Sequence, residues 1–216
     1  MLLLAFDTAT PAVTVALHDG SAVLAQEDAV DARRHGELLA VFIDKVLRSA
    51  GADERDLTGV AVGTGPGPYT GLRAGLVTAR VLASALQIRS DGVCSLDVIA
   101  TAAQRQAGGR DFLVATDARR RELYWARYAA DGRRTAGPQV GSPAELPAGL
   151  GVAGQGPVLY PECAARVLEP RFPSAGELAR VVAGRIAAGD PPGPVEPLYL
   201  RRPDAREPGR PKRVTP

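Results

Sequence analysis

The stretch GTGPGPYTGLRAG, residues 63–75, places four glycines and two prolines in its first nine positions. The apolar run Leu57–Val62 leads into it and predicts a strand, and Leu72–Leu86 follows at helical spacing. Strand, glycine-rich turn and helix are the plan of a phosphate-binding loop, but the details fail. GxxxxGK[ST] fits in no register, and the basic residue here, Arg73, falls inside the helix. GxGxxG fails as well, because its third glycine position is Pro68 when counted from Gly63 and Thr70 when counted from Gly65. Pro66 and Pro68 also remove two of the N–H donors that would cradle a phosphate. What remains is a stiff turn with Thr70 as candidate N-cap, at a helix start that can still attract an anion.

Upstream, Leu2–Ala9 reads as a buried strand and not as a signal peptide, since it lacks a basic leader and Asp7 cuts its apolar run. Ala12–His18 alternates, Asp19-Gly20 is a hairpin signal, and Ser21–Glu27 is the return strand. Three strands therefore open the chain. Residues 37–50 then change period: Leu38, Leu39, Phe42, Ile43, Val46 and Leu47 fall at helical spacing over about half the circumference. Ser95–Ala107 predicts another helix, with Ser95 as N-cap and Asp97 in its first turn.

The pattern restarts with strands at Asp111–Thr116 and Glu122–Tyr128. Residues 135–174 are rich in Gly and Pro, with one strand candidate, Val158–Tyr160. Ser174–Ala188 predicts a helix with a Ser174/Glu177 capping box and Gly189 at its end. A boundary at QRQAGGR divides the chain into lobes 1–107 and 108–200, followed by a tail, 201–216. Each half begins with strands and ends on a helix, as distant structural repeats would.

The composition, 45% hydrophobic and 23% charged over 216 residues, is that of a soluble globular chain. Every apolar run breaks well short of the roughly 18 residues of a membrane span. Two cysteines, far apart and outside any CxxC, fit a reducing cytoplasm. The net charge of +2 conceals a tail of net +4, RRPDAREPGRPKRVTP, behind a slightly acidic body. That tail has little apolar surface and reads as a solvated, disordered end.

The helix at 72–86 is unusual. Leu72, Leu76, Ala79, Leu82, Ala83 and Leu86 form one apolar face, and Ala74, Val77, Val81 and Ala85 form a second. Arg73, Arg80 and Ser84 leave only a narrow polar strip between them. Such a helix is either buried within its own fold or covered by another chain. Chemistry is sparse elsewhere. His18 and His35 lie at a strand end and before a helix, as surface or helix-start residues, and are not at HxxxH spacing. No GxSxG is present. Asp7, ending the first strand in FDTAT, is either the seed of a metal–phosphate site or a hydrogen-bonding strand-end residue.

FDTAT followed by a hairpin resembles the first phosphate hairpin of the actin-like ATPase (ASKHA) superfamily. In order, RHGELLAVFIDKVL, GTGPGPYTGLRAGL, TDARRRELYWARY and PLYLR resemble the TsaB (YeaZ) family, over residues 2 to about 201. The resemblance implies an α/β, two-lobed actin-like (ASKHA/RNase H-like) fold, each lobe a mixed sheet with helices. It implies a cytoplasmic, non-catalytic pseudo-enzyme with no membrane association. Its partner would be a catalytic TsaD-like subunit, which it activates. Together with a TsaE-like ATPase they would transfer threonylcarbamoyl to N6 of the adenosine beside the anticodon, in tRNAs reading codons that begin with A. The chain would meet tRNA through that complex; a homodimer of the isolated chain stays open.

The partner surface implied is the helix pair 37–50 and 72–86, through Leu38, Leu39, Phe42, Ala74, Val77, Thr78, Val81 and Ala85. The motif loop comprises Gly65, Pro66, Gly67, Tyr69, Thr70, Gly71 and Arg73. Asp7, Thr8 and Thr10 form a vestigial phosphate hairpin. No catalytic residue or metal ligand is assigned, and no cofactor is expected on this chain alone, with ATP and metal on the partners. The departures agree: Leu39 stands where HxxxH needs a histidine, and Ala9 and Pro11 stand where ATP-binding relatives need glycine. Arg119-Arg120-Arg121 replaces the glycine or acidic residue more common before Glu122. The alternatives are a small-molecule kinase of the same fold, with Asp117 as its catalytic acid, and a glycoprotease-like peptidase.

Overall fold

The structure, a computed structural model, describes residues 1–201. The tail expected to be disordered lies, from residue 202 onward, outside them. Leu3–Asp7 (β1), Ala12–His18 (β2) and Val23–Val30 (β3) pair antiparallel in succession. Gly59–Gly63 (β4) and Arg89–Val93 (β5) add in parallel beyond β1, in the order β3-β2-β1-β4-β5.

The second sheet repeats the plan. Phe112–Asp117 (β6), Leu123–Tyr128 (β7) and Arg134–Gly141 (β8) are the antiparallel strands. Gly151–Ala153 (β9) and Arg166–Leu168 (β10) add in parallel, in the order β10-β9-β6-β7-β8. Two mixed sheets of the same topology make up the two-lobed actin-like α/β fold, and the two halves are structural repeats.

The helices are His35–Ser49 (α1), Tyr69–Leu86 (α2), Ser95–Ala107 (α3), Gly156–Leu159 (α4) and Ala175–Ala188 (α5). α1 and α2 cover one face of the first sheet, where Leu4, Phe6, Val13, Val15, Val60 and Val62 point. α5 covers the opposite face, where Leu3, Ala5, Ala16 and Ala61 point. Successive residues of β1 feed both cores, so its sequence reads as one apolar run rather than an alternation.

Packing does not respect the boundary between residues 107 and 108. α3, from the first half, lays Leu96, Ile99, Ala100 and Ala103 on Phe112, Val114, Ala126 and Tyr128 of the second sheet. α5, from the second half, returns to the first sheet and packs on β1 and β2. The two helices meet at an ion pair, Arg105 to Glu177, 2.6 Å. Helical periodicity reveals an apolar face; it does not reveal which sheet that face will cover.

Several local expectations are corrected. Val158–Tyr160 is no strand, because Gly156–Leu159 forms the single turn α4. β5 and β8 to β10 gave no clear signal: Arg89–Val93 has no apolar alternation, β8 contains Gly137 and Pro138, and the last two strands have three residues each. Ser174 occupies an extended N-cap position, but its hydroxyl makes no cap bond. Glu177 is engaged by Arg105 and Arg180, so the capping box does not form. α2 begins at Tyr69, with Pro68 as its cap and no side-chain cap from Thr70. His18 is buried, not surface-lying: its Nδ1 accepts the Gly20 amide at 2.9 Å, and desolvation lowers its pKa.

Candidate functional site

The hairpin at the end of β1 and the glycine loop before α2 form one packed unit. Asp7, Thr8 and Thr10 are all buried. Asp7 accepts the Ala9 amide on Oδ1 at 2.7 Å and the Ser95 hydroxyl on Oδ2 at 2.5 Å. Ser95 Oγ in turn accepts the Gly65 amide at 3.2 Å. Ser95 therefore braces the loop and does not cap α3, whose first residue it is. Burial pushes the Asp7 carboxyl from its ordinary 3.8 up to about 6, against the opposing pull of its hydrogen bonds and of His35.

The glycines are explained by this contact. A Cβ on Gly67 would stand 1.9 Å from the Ala9 carbonyl oxygen, and one on Gly71 would stand 2.5 Å from that of Thr8. At Gly63 it would meet the Asp7 carboxylate at 1.8 Å. The glycines let the backbone of the loop lie directly against the backbone of the hairpin. Gly65, at φ +85°, additionally uses a conformation that side chains disfavour. Thr8 Oγ donates to the Gly71 carbonyl, and His35 Nε2 lies 2.8 Å from the Thr10 carbonyl.

The crevice between hairpin, loop and second sheet is narrow. Ala9, Thr10, Pro68, Thr116, Asp117 and Gln155 line about 10 Å³, room for one water. Asp117, the kinase-like alternative, accepts the Arg119 amide at 2.7 Å and pairs with the Arg119 guanidinium at 3.2 Å. Arg119, Arg120 and Arg121 follow with φ of 62°, 56° and 60°, three non-glycine residues in left-handed conformation.

The α1–α2 surface differs in part from the one expected. Val77 and Val81 are 58% and 59% exposed, Ala85 is exposed, and Ala74 and Thr78 are half-buried. The second face of α2 thus lies open. On α1 the assignment is corrected: Leu39 and Phe42 are buried in the protein's own core against the first sheet, and the half-buried Leu38 packs on that core. Val41, 49% exposed, is the apolar side chain that α1 presents instead. It lies off the helical arc that marks the core, and that displacement was the signal available in the sequence. Tyr69 and Arg73 of the motif loop belong to a cluster whose third member was not foreseen. Tyr199 stacks on Tyr69 at 5.5 Å between centroids, and the Arg73 guanidinium sits 3.7 Å from the Tyr69 ring centre.

Comparison with known proteins is consistent across sequence and structure. Residues 23–181 match the family profile described as TsaD: tRNA N6-adenosine threonylcarbamoyltransferase. An uncharacterised protein of Mycobacterium tuberculosis is 47% identical over 94% of this chain and 93% of its own length. The tRNA threonylcarbamoyladenosine biosynthesis protein TsaB of Escherichia coli is 37% identical, over 61% of this chain and 56% of its own. YeaZ from Pseudomonas aeruginosa superposes with a TM-score of 0.81 at 28% identity, covering 92% of this chain and 99% of that one.

Proposed function

The chain belongs to the TsaB (YeaZ) family, and from that premise we propose that it is the non-catalytic, activating subunit of a tRNA threonylcarbamoyladenosine assembly. Its partner is a catalytic TsaD-like chain, held on α1 and α2. The observation that carries this reading is the pair Val77 and Val81, more than half exposed on a helix whose other face is already packed. With Val41, Ala74 and Ala85 they supply an apolar surface of the kind that protein interfaces bury. No helix among the described residues is long and apolar enough to cross a membrane.

The non-catalytic part of the reading is supported by the filled hairpin. Asp7 is committed to Ala9 and Ser95, and Gly67 abuts Ala9, so neither carboxylate nor backbone is free to meet a metal or phosphate. The family profile carries the name of a transferase, but Leu39, four residues after His35, occupies a position where an HxxxH metal pair needs its second histidine.

The test is co-purification of Val81→Glu and Ala85→Glu variants with the TsaD-like chain of the same organism. Both should fold normally, because each side chain faces solvent in the isolated protein and Ala-to-Glu changes helix propensity little. Both should lose co-elution and, in a reconstituted system, tRNA modification. A folded Val81→Glu variant that still binds would place the interface elsewhere and sink the proposal.

A further inference from the structure

After α5 the chain does not stop at the first sheet. Residues 190–201 run without regular secondary structure along its β5 edge. The Gly193 amide donates to Asp91 Oδ1 at 3.1 Å, and the Gly92 amide donates to the Gly193 carbonyl at 3.0 Å. The Arg80 guanidinium, from α2, donates to the Val195 carbonyl. The Leu198 amide then donates to the Thr64 carbonyl at 2.9 Å, directly before the glycine loop. Tyr199 stacks on Tyr69, and its hydroxyl accepts Arg73 Nε at 3.2 Å.

The segment then crosses to the second sheet. Arg201 Nη1 donates to the Ala118 carbonyl at 3.2 Å, and the same guanidinium pairs with Glu122. Ala118 and Glu122 are the two ends of the left-handed arginine turn, joined by an Ala118 amide to Glu122 carbonyl bond of 3.0 Å. One side chain thus grips both ends of a turn in which three successive non-glycine residues have positive φ. Positive φ at three successive arginines is disfavoured by Cβ–carbonyl crowding and persists only where its surroundings enforce it.

We infer that residues 190–201 form a strap that fastens the 119–121 turn of the second sheet to the first, with Arg201 as its latch holding the turn left-handed. Asp117 assists from inside the turn through its bond to the Arg119 amide, and Glu122 is the acid that faces the latch. The tie is internal to one chain and does not depend on a partner subunit.

Hydrogen exchange of the full-length protein, read on peptides covering 117–123 and 191–199, tests it. Arg201→Ala should speed exchange in 117–123 by about fivefold or more, as the opened turn becomes populated. The strap peptide 191–199 should stay protected, since its bonds to Asp91, Gly92 and Thr64 remain. Unchanged exchange at 117–123 would overturn the inference. If Arg201→Ala raises exchange throughout the molecule, Glu122→Gln decides: a rise confined to 117–123 sustains the latch, and no rise there overturns it.

Discussion

Thr8 donates its hydroxyl to the Gly71 carbonyl at 2.7 Å and accepts the Gly75 amide at 3.1 Å. These are the acceptor and donor of one α-helical i→i−4 step, so a side chain from the first hairpin is inserted into the ladder of α2. The hairpin and the helix that carries the exposed valines are thereby welded. Thr8→Val keeps the shape and removes the relay. It should lower stability by about 1–3 kcal/mol, the cost of leaving buried polar groups poorly paired. Chemical denaturation of the two proteins measures it; an unchanged midpoint would mean that the helix closes its own bond.

Gly67→Ala should be more damaging than an exposed glycine substitution. Its Cβ would collide with the Ala9 carbonyl, part of a backbone that cannot swing aside as a flexible side chain can. Overpacking of this kind costs about 1–3 kcal/mol or more. Gly184→Ala is the control: no atom lies within 4 Å of the added carbon, and it should be neutral or mildly stabilising. Thermal melting of both variants separates a packing glycine from a merely flexible one.

Asp7 makes stability depend on pH in a defined direction. Its folded pKa, near 6, lies above the ordinary 3.8, so the folded state holds a proton that the unfolded state releases. The contribution is fully present below about pH 4 and is lost as pH rises to about 6. Asp7→Asn removes this loss. Relative to wild type, the variant should gain about 2–3 kcal/mol between pH 4 and pH 7. Denaturant titrations at four pH values test the slope, and parallel profiles for the two proteins would refute the assignment.

The two helices should divide by stability. Leu39→Ala removes a side chain that is 2% exposed and should cost about 2–5 kcal/mol in the isolated protein. Val81→Ala, at an open position, should stay within about 0.5 kcal/mol. The reverse ranking would mean that α2, not α1, supplies the core at these positions.

Isolated protein titrated with Mg-ATP in a calorimeter should show no micromolar site between its lobes. The crevice at the hairpin offers only about 10 Å³, and the loop lies against the hairpin backbone at Gly67 and Gly71. A micromolar isotherm would require the glycine loop to leave the hairpin.

The sequence by itself determined the elements with strong periods: the opening three strands, the helices near 37–50, 72–86 and 95–107, and the restart of the pattern after residue 110. It also determined that α2 carries two apolar faces, because helical spacing is a local property of the chain. The short and edge strands stayed hidden, since three residues or a Gly-Pro step leave no period to detect. Which faces meet was decided only by the tertiary structure. Nothing in the spacing of α3 and α5 assigns each to the sheet formed mainly by the other half. The glycine loop could be read as lacking phosphate chemistry, yet its purpose depends on Ala9 and Thr8, which lie more than fifty residues away. Ser95 looked like a cap and serves Asp7; Leu39 and Phe42 looked available and are buried, while Val41 is open. Local pattern fixes conformation and amphipathicity. Contacts between distant segments follow from shape and from satisfying buried polar groups, and those are properties of the assembled fold.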